Sequence, residues 1–234
     1  MIESVIFDID GTLYDWETAI ARTMERLLPE APVAERQRLP GRFQQALVEG
    51  AFTIRDGVVV DRRYWILLAD PVPVWSAALP DASPDVARHL ASRFRELLDP
   101  VIYPDATPCL EELRGRYRLG VLTNNPRADA TINALGLASY FDAVVFPGDE
   151  RRKPKREAFL TACEEMRVET HRAVYVGDSI SHDVEGAMAA GLRAVWVDRH
   201  HDNYKLPVGA FRVESLLELP DVLEEAAGQS ASGA

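Results

Sequence analysis

The segment "VIFDIDGTLYD", residues 5–15, sets two aspartates, Asp8 and Asp10, at the end of an apolar run. Two residues apart in an extended segment, their side chains point to the same side. Such a pair stays ionised at low cost only where a cation neutralises it or a proton is shared. Asp178 follows the apolar run "AVYV", and Asp183 stands five residues further on. Clustered carboxylates without histidine or cysteine select a hard ion such as Mg²⁺. Lys153 supplies the opposite charge. The chain has three lysines, Lys153, Lys155 and Lys205, against many arginines, so a lysine directly before Pro154 reads as a compact point charge for a phosphate and a carboxylate. "TNN", residues 123–125, brings a hydroxyl and two amides to the end of another apolar run. Each piece has an ordinary structural explanation as a turn, a helix cap, a first-turn acid or a solvated charge run. Their joint occurrence, in order and each after an apolar run, argues for a site.

The elements that must carry these residues are five short, β-branched runs: Val5–Ile9, Leu119–Thr123, Ala143–Phe146, Ala173–Val176 and Ala194–Val197. They read as buried strands. Helical stretches alternate with the last four: one opened by Pro126 and running to about Leu135, one opened by Pro154 and running to about Arg167, and one capped by Ser181 and running to about Ala190. The alternation predicts an α/β fold, a doubly wound, Rossmann-like parallel sheet. Ligands of such sheets bind beyond the carboxyl ends of the strands, where "DIDGT", "TNN" and "GDS" all fall.

Roughly a hundred residues separate Ile9 from Leu119, far more than the dozen a crossover needs. The expected organisation is a catalytic core of residues 1–15 and 100–227 and a mainly helical cap of residues 16–99. Residues 228–234, "GQSASGA", are expected to form a disordered tail. Within the cap, "IRDGVVVD" reads as a tight turn at Asp56 and Gly57.

The length of 234 residues suits one sizeable α/β domain with an insertion. A formal net charge of -11 disfavours a nucleic-acid backbone as partner, while a locally positive site can still take a small anion. Cys109 and Cys163 form no CxxC pair and fall in helical stretches, which predicts buried free thiols and a reducing, cytoplasmic setting. "MIESVIFDID" has no basic region before its short apolar run, so neither a signal peptide nor a membrane span is expected.

The ordered set "DIDGT" (8–12), "TN" (123–124), "KPKREAF" (153–159) and "GDSISHDVEGAMAAG" (177–191) resembles the four motifs of the haloacid dehalogenase (HAD)-like hydrolase superfamily. The likeness is to its phosphatase branch, with a helical cap inserted after the first strand. It implies a phosphomonoester hydrolase acting on a small phosphorylated metabolite, as a monomer or homodimer. Asp8 is then the nucleophile that becomes an aspartyl-phosphate, and Asp10 the acid to the leaving alcohol and base for the water. The resemblance further implies Mg²⁺ held by the Asp8 carboxylate, the Asp10 main-chain carbonyl and the Asp178 carboxylate, with Asp183 holding metal-bound water. Thr123 and the backbone around Asn124 would bind phosphoryl oxygens, and Lys153 would offset the charge on Asp8 and the transferring group.

Relatives with other chemistry share the motifs: sugar-phosphate mutases of the β-phosphoglucomutase kind, haloacid dehalogenases, and catalytically silent binding modules. Haloacid dehalogenases use the first aspartate alone and no metal, so Asp10 argues against that activity. The segment "FPGDERRKP" is short for the family, which leaves Lys155 open beside Lys153. The cap is expected to close over the core, with Arg22, Arg42, Arg62, Arg63, Tyr64, Trp65 and Trp75 as candidate substrate contacts; Arg62, Tyr64 and Trp65 are the ones put forward.

Overall fold

The computed structural model describes residues 1–55, 58–61, 70–202 and 204–229. Its strands are β1 (Ser4–Phe7), β2 (Phe52–Arg55), β3 (Val58–Asp61), β4 (Arg118–Leu122), β5 (Ala143–Val145), β6 (Ala173–Gly177), β7 (Arg193–Val197) and β8 (Phe211–Val213). Its helices are α1 (Trp16–Leu27), α2 (Leu39–Ala51), α3 (Val72–Ala78), α4 (Pro84–Leu97), α5 (Ala106–Leu113), α6 (Ala128–Ala134), α7 (Arg156–Glu165), α8 (Glu185–Ala190) and α9 (Leu219–Gln229). The chain forms two compact units, one of Met1–Trp16 and Pro100–Ala234, the other of Glu17–Asp99.

The first unit is the expected α/β sheet, six strands in the order β5-β4-β1-β6-β7-β8, with every pair parallel. A strand covered on both faces cannot alternate polar and apolar residues. Accordingly β1 and β6 are buried along their whole length. The helix α7 shows the complementary pattern, burying Ala158, Phe159, Ala162 and Cys163 along one stripe. Phe159 meets the ring of Tyr175 edge-on at 5.0 Å. The three-residue edge strand β8 lies beyond the five runs anticipated above. Both cysteines are free and buried, and burial pushes the thiol of Cys109 up to about 12 and that of Cys163 up to about 11. Among the described residues no helix is long and apolar enough to cross a membrane.

The second unit has its own core. Phe43, Trp75 and Phe94 pack with ring centroids 4.7, 5.5 and 5.9 Å apart, and Trp75 is fully buried among them. Trp75 is therefore a packing residue of this unit. Arg42 is ion-paired to Glu35 at 2.7 Å, and Arg22 is exposed. The unit also holds the antiparallel pair β2–β3, in which Arg55 faces Val58. The turn expected at Asp56 and Gly57 lies outside the described residues, as do residues 62–69 and 230–234.

Where the chain leaves and re-enters the first unit, its two passes are tied side by side. Asp15 donates its amide to Val101 at 2.7 Å and Tyr103 donates to Leu13 at 3.0 Å. Asp105 then accepts from Arg199 at 3.0 and 3.1 Å, from the Ser215 hydroxyl at 2.8 Å and from the Leu216 amide at 2.9 Å. Burial alone would raise the Asp105 carboxyl, but these hydrogen bonds and the Arg199 charge hold it below the usual carboxylate range. A carboxyl with a depressed folded pKa stabilises the fold above its unfolded value, and that contribution is lost as pH falls through the folded value. Asp105→Asn should therefore lower stability by about 2 kcal/mol at neutral pH. The gap to the wild type should close as pH falls below about 4. Thermal melts over pH 7 to about 3 check this; a gap that stays constant would show that the charge of Asp105 is not what stabilises the fold.

Candidate active site

The strand order places the candidate site. From β1 the chain moves outward to β4 and β5, returns to β6 on the other flank of β1, and continues outward to β7 and β8. The crevice of such a sheet opens where neighbouring strands send their connections in opposite directions, here between β1 and β6. Register sets the level: Phe7 pairs with Val121 on one side and with Val176 on the other. The residues just beyond these pairs, Asp8, Thr123 and Asp178, consequently leave the sheet at one edge. The Asp8 amide remains bonded to the Val176 carbonyl at 2.9 Å.

The carboxylates of Asp8, Asp178 and Asp183 each offer an oxygen within 4.8 Å of the others. Two glycines make this approach possible. A Cβ on Gly11, which sits at φ +82°, would collide with the Asp178 carboxylate, and one on Gly177 would collide with that of Asp183. The Asp178 carbonyl accepts from the Trp196 indole at 2.9 Å. Ser179, rather than the anticipated Ser181, caps the next segment by accepting from the His182 amide. A π-helical turn, Ile180–Val184, then leads into α8. This turn brings Asp183 back so that its Oδ2 accepts the Ser179 amide at 2.9 Å.

Lys153 is 5 % exposed and lies within the cluster. Its Nζ is 2.9 Å from Asp8 Oδ1 and 2.6 Å from Asp183 Oδ1, and it donates to the Tyr175 hydroxyl at 2.8 Å. Tyr175 in turn donates to the Leu122 carbonyl at 2.8 Å. The backbone of Lys153 is fixed by the Asn124 side chain, which accepts its amide at 2.8 Å and donates to its carbonyl at 3.0 Å. Lys155 is exposed and bonds the Glu150 carbonyl, so Lys153 is the lysine at the cluster. Burial alone would lower the Lys153 ammonium, but the charges of Asp183 and Asp8 hold it well above its ordinary value. Burial pushes the Asp8 carboxyl up to about 6; Lys153 opposes the rise and Asp183 adds to it. Asp8 Oδ1 is buried and, although close to Lys153, accepts no aligned hydrogen bond. An all-oxygen anionic set with an unsatisfied buried carboxylate oxygen fits a hard divalent cation.

Asp10 departs from the sequence expectation. The strand ends at Phe7 rather than Ile9, and the Ile9 carbonyl accepts the amides of Thr12, Leu13 and Tyr14. The chain has therefore left the extended conformation before Asp10. The Asp10 carboxylate stands outside the three-carboxylate cluster, and Asp10 forms a backbone bridge with Tyr14. Asp8 and Asp10 are two groups in different surroundings rather than a matched pair. Thr123 is buried, with its hydroxyl accepting the Asn125 amide at 3.2 Å, while the Asn124 side chain is committed to Lys153. Arg62, Tyr64 and Trp65 lie outside the described residues. Sequence reasoning missed Tyr175 and Arg199. The signal for Tyr175 was a phenol inside the otherwise apolar "AVYV", since a buried hydroxyl needs a partner.

The chain is similar to known proteins over most of its length. A model of the haloacid dehalogenase-like hydrolase family matches residues 2–191. N-acylneuraminate-9-phosphatase of Homo sapiens is 30% identical over 241 residues, covering 95% of this chain and 94% of that protein. The crystal structure of a HAD phosphatase from Thermococcus onnurineus is similar at a TM-score of 0.65 and 28% identity, over 95% of this chain and 98% of that one. That of a 2-haloacid dehalogenase from Pseudomonas syringae pv. Tomato DC3000 is similar at 0.62 and 28%, over 96% and 99%. A family match over residues 2–191, together with the near-complete coverage of the Homo sapiens relative, means that the chain belongs to the haloacid dehalogenase-like hydrolase family.

Proposed function

We propose that the protein is a Mg²⁺-dependent phosphomonoester hydrolase for a small phosphorylated metabolite, working through an aspartyl-phosphate on Asp8. The observation that carries this reading is the Lys153 ammonium lying 2.9 Å from Asp8 and 2.6 Å from Asp183 at the carboxyl edge of the sheet. An anionic nucleophile approaches an anionic phosphate only where positive charge offsets both. The phosphatase names among its relatives, including the N-acylneuraminate-9-phosphatase, support the same class. Asp10 favours phosphoryl transfer over dehalogenation, because an alkoxide needs a proton to depart and a halide does not.

In the first step a carboxylate oxygen of Asp8 bonds to phosphorus. The bond from phosphorus to the ester oxygen breaks, and that oxygen takes its proton from Asp10. In the second step Asp10, now a carboxylate, takes a proton from water as the water oxygen bonds to phosphorus. The bond to Asp8 then breaks and inorganic phosphate leaves. Lys153 holds Asp8 in place and offsets its charge, and Thr123 with the backbone around Asn124 supplies donors to the phosphoryl oxygens. The carboxylates of Asp8 and Asp178 with the Asp10 carbonyl would hold Mg²⁺, which supplies charge neutralisation when bound. Asp183, its two oxygens engaged by Lys153 and the Ser179 amide, would reach the ion through water.

Release of inorganic phosphate from p-nitrophenyl phosphate should require Mg²⁺ and fall at least about a thousandfold in Asp8→Asn. Turnover that survives this substitution, or that persists in excess chelator, removes the mechanism. Metal binding is testable apart from turnover. Saturating Mg²⁺ at about a hundred times its dissociation constant should stabilise chelator-stripped protein by about 2.7 kcal/mol. In Asp178→Asn most of that thermal shift should disappear, and an equal shift in the variant would exclude Asp178 as a ligand.

A further inference from the structure

We propose that Arg199 is a positioning residue for the proton transfer assigned to Asp10, a role that rests on the hydrolase reading above. Arg199 follows β7, 188 residues from Gly11 in sequence, yet its guanidinium is spent on the loop that carries Asp10. Its Nε donates to the Gly11 carbonyl at 3.2 Å and its Nη2 to the Thr12 carbonyl at 2.7 Å. The same fork is itself held in place. Asp105 accepts from both Nη atoms at 3.0 and 3.1 Å, and the guanidinium lies 3.7 Å from the centroid of the Tyr103 ring. The Arg199 and Asp105 side chains are each 12 % exposed.

The loop is held by its own backbone bonds as well as by Arg199. Its internal bonds close the turn upon itself, through the Ile9 carbonyl and the Gly11 amide bonded to Tyr14, and the Asp178 carboxylate fills the space where a Gly11 side chain would stand. Arg199 presses on Gly11 and Thr12, the residues directly after Asp10, and ties them to Asp105, which is anchored at Ser215 and Leu216. A planar fork fixes two adjacent carbonyls and the Asp105 carboxylate in one geometry, whereas an ammonium is a compact point charge with freely rotating donors. Misplacing a proton donor by an ångström is enough to slow the step it serves.

The step to be slowed is specific. In the attack of Asp8, the electron pair of the breaking bond passes to the ester oxygen, which takes the Asp10 proton. A weakly basic phenolate departs with little help, and a strongly basic one does not. The test is kcat/KM, which reports the first irreversible step, over p-nitrophenyl, phenyl and p-methoxyphenyl phosphates. Arg199→Met should lose under about 3-fold on p-nitrophenyl phosphate and about 30-fold on p-methoxyphenyl phosphate. Asp10→Asn should show the same slope, and adding Arg199→Met to Asp10→Asn should cost little more on the basic phenol. Arg199→Lys, which keeps the charge beside Asp105, should give an intermediate slope and serves where the methionine variant melts below the assay temperature. A uniform loss across the series, or full additivity with Asp10→Asn, overturns the role of Arg199. A wild type inactive on all three esters overturns the hydrolase reading, and this inference with it.

Discussion

Three carboxylates brought together at a buried strand edge repel one another, and the rest of the site is arranged around that constraint. Desolvation makes each ionised carboxyl costly, as the raised pKa of Asp8 records. Lys153 meets two of them directly: it donates to Asp183 and to the Tyr175 hydroxyl, and its charge lies 2.9 Å from Asp8. A buried ion pair whose remaining donors were unsatisfied would be a liability. Removing either side of it would leave an uncompensated charge in a low-dielectric setting. Tyr175 therefore belongs to the electrostatics of the site although it sits in the middle of a strand.

The backbone makes the meeting possible. Parallel strands in register end at a common level, so a residue placed just beyond β1 is a neighbour of residues just beyond β4 and β6. The same geometry draws the backbone of one strand end close to the side chain of the next. That closeness is why glycine is needed at 11 and 177, where a Cβ would occupy the space of the Asp178 and Asp183 carboxylates. Asn124 closes the system from the other flank by bonding both backbone groups of Lys153. Lys153 is thus held from β1, β4 and β6 together, and a shift in one strand would be felt at the ammonium.

What could be read from the sequence follows from which interactions are local. Five strands were visible because burial on both faces imposes unbroken apolar runs, and the motif residues were visible because each terminates such a run. Lys153 was separable from Lys155 only in three dimensions, where one is buried among carboxylates and the other is exposed. The extended backbone assumed as far as Ile9 is not found, because β1 ends at Phe7 and the carbonyl of Ile9 collects three amides and turns the chain. Ser179 replaced Ser181 as the cap because the π-turn needs an acceptor one residue after Asp178. Arg199 could not have been read at all, since its partners Gly11, Thr12 and Asp105 are remote in sequence and a lone arginine after a strand has no distinguishing pattern.

The turn before Asp10 bears on chemistry as well as on geometry. Two identical carboxyl groups perform different tasks only if their environments differ. Had β1 continued straight, Asp8 and Asp10 would have pointed into one space, coupled to one another and to the same lysine, and neither could have been tuned separately. The chain turns at Ile9 instead: Asp8 stays with Lys153, Asp178 and Asp183, while Asp10 is half-buried outside that cluster. In the proposed mechanism the first must be an anion when the second is an acid. A turn that begins between them separates the two populations of charge without any change of residue type, and Gly11 with Arg199 then fixes where the second one stands.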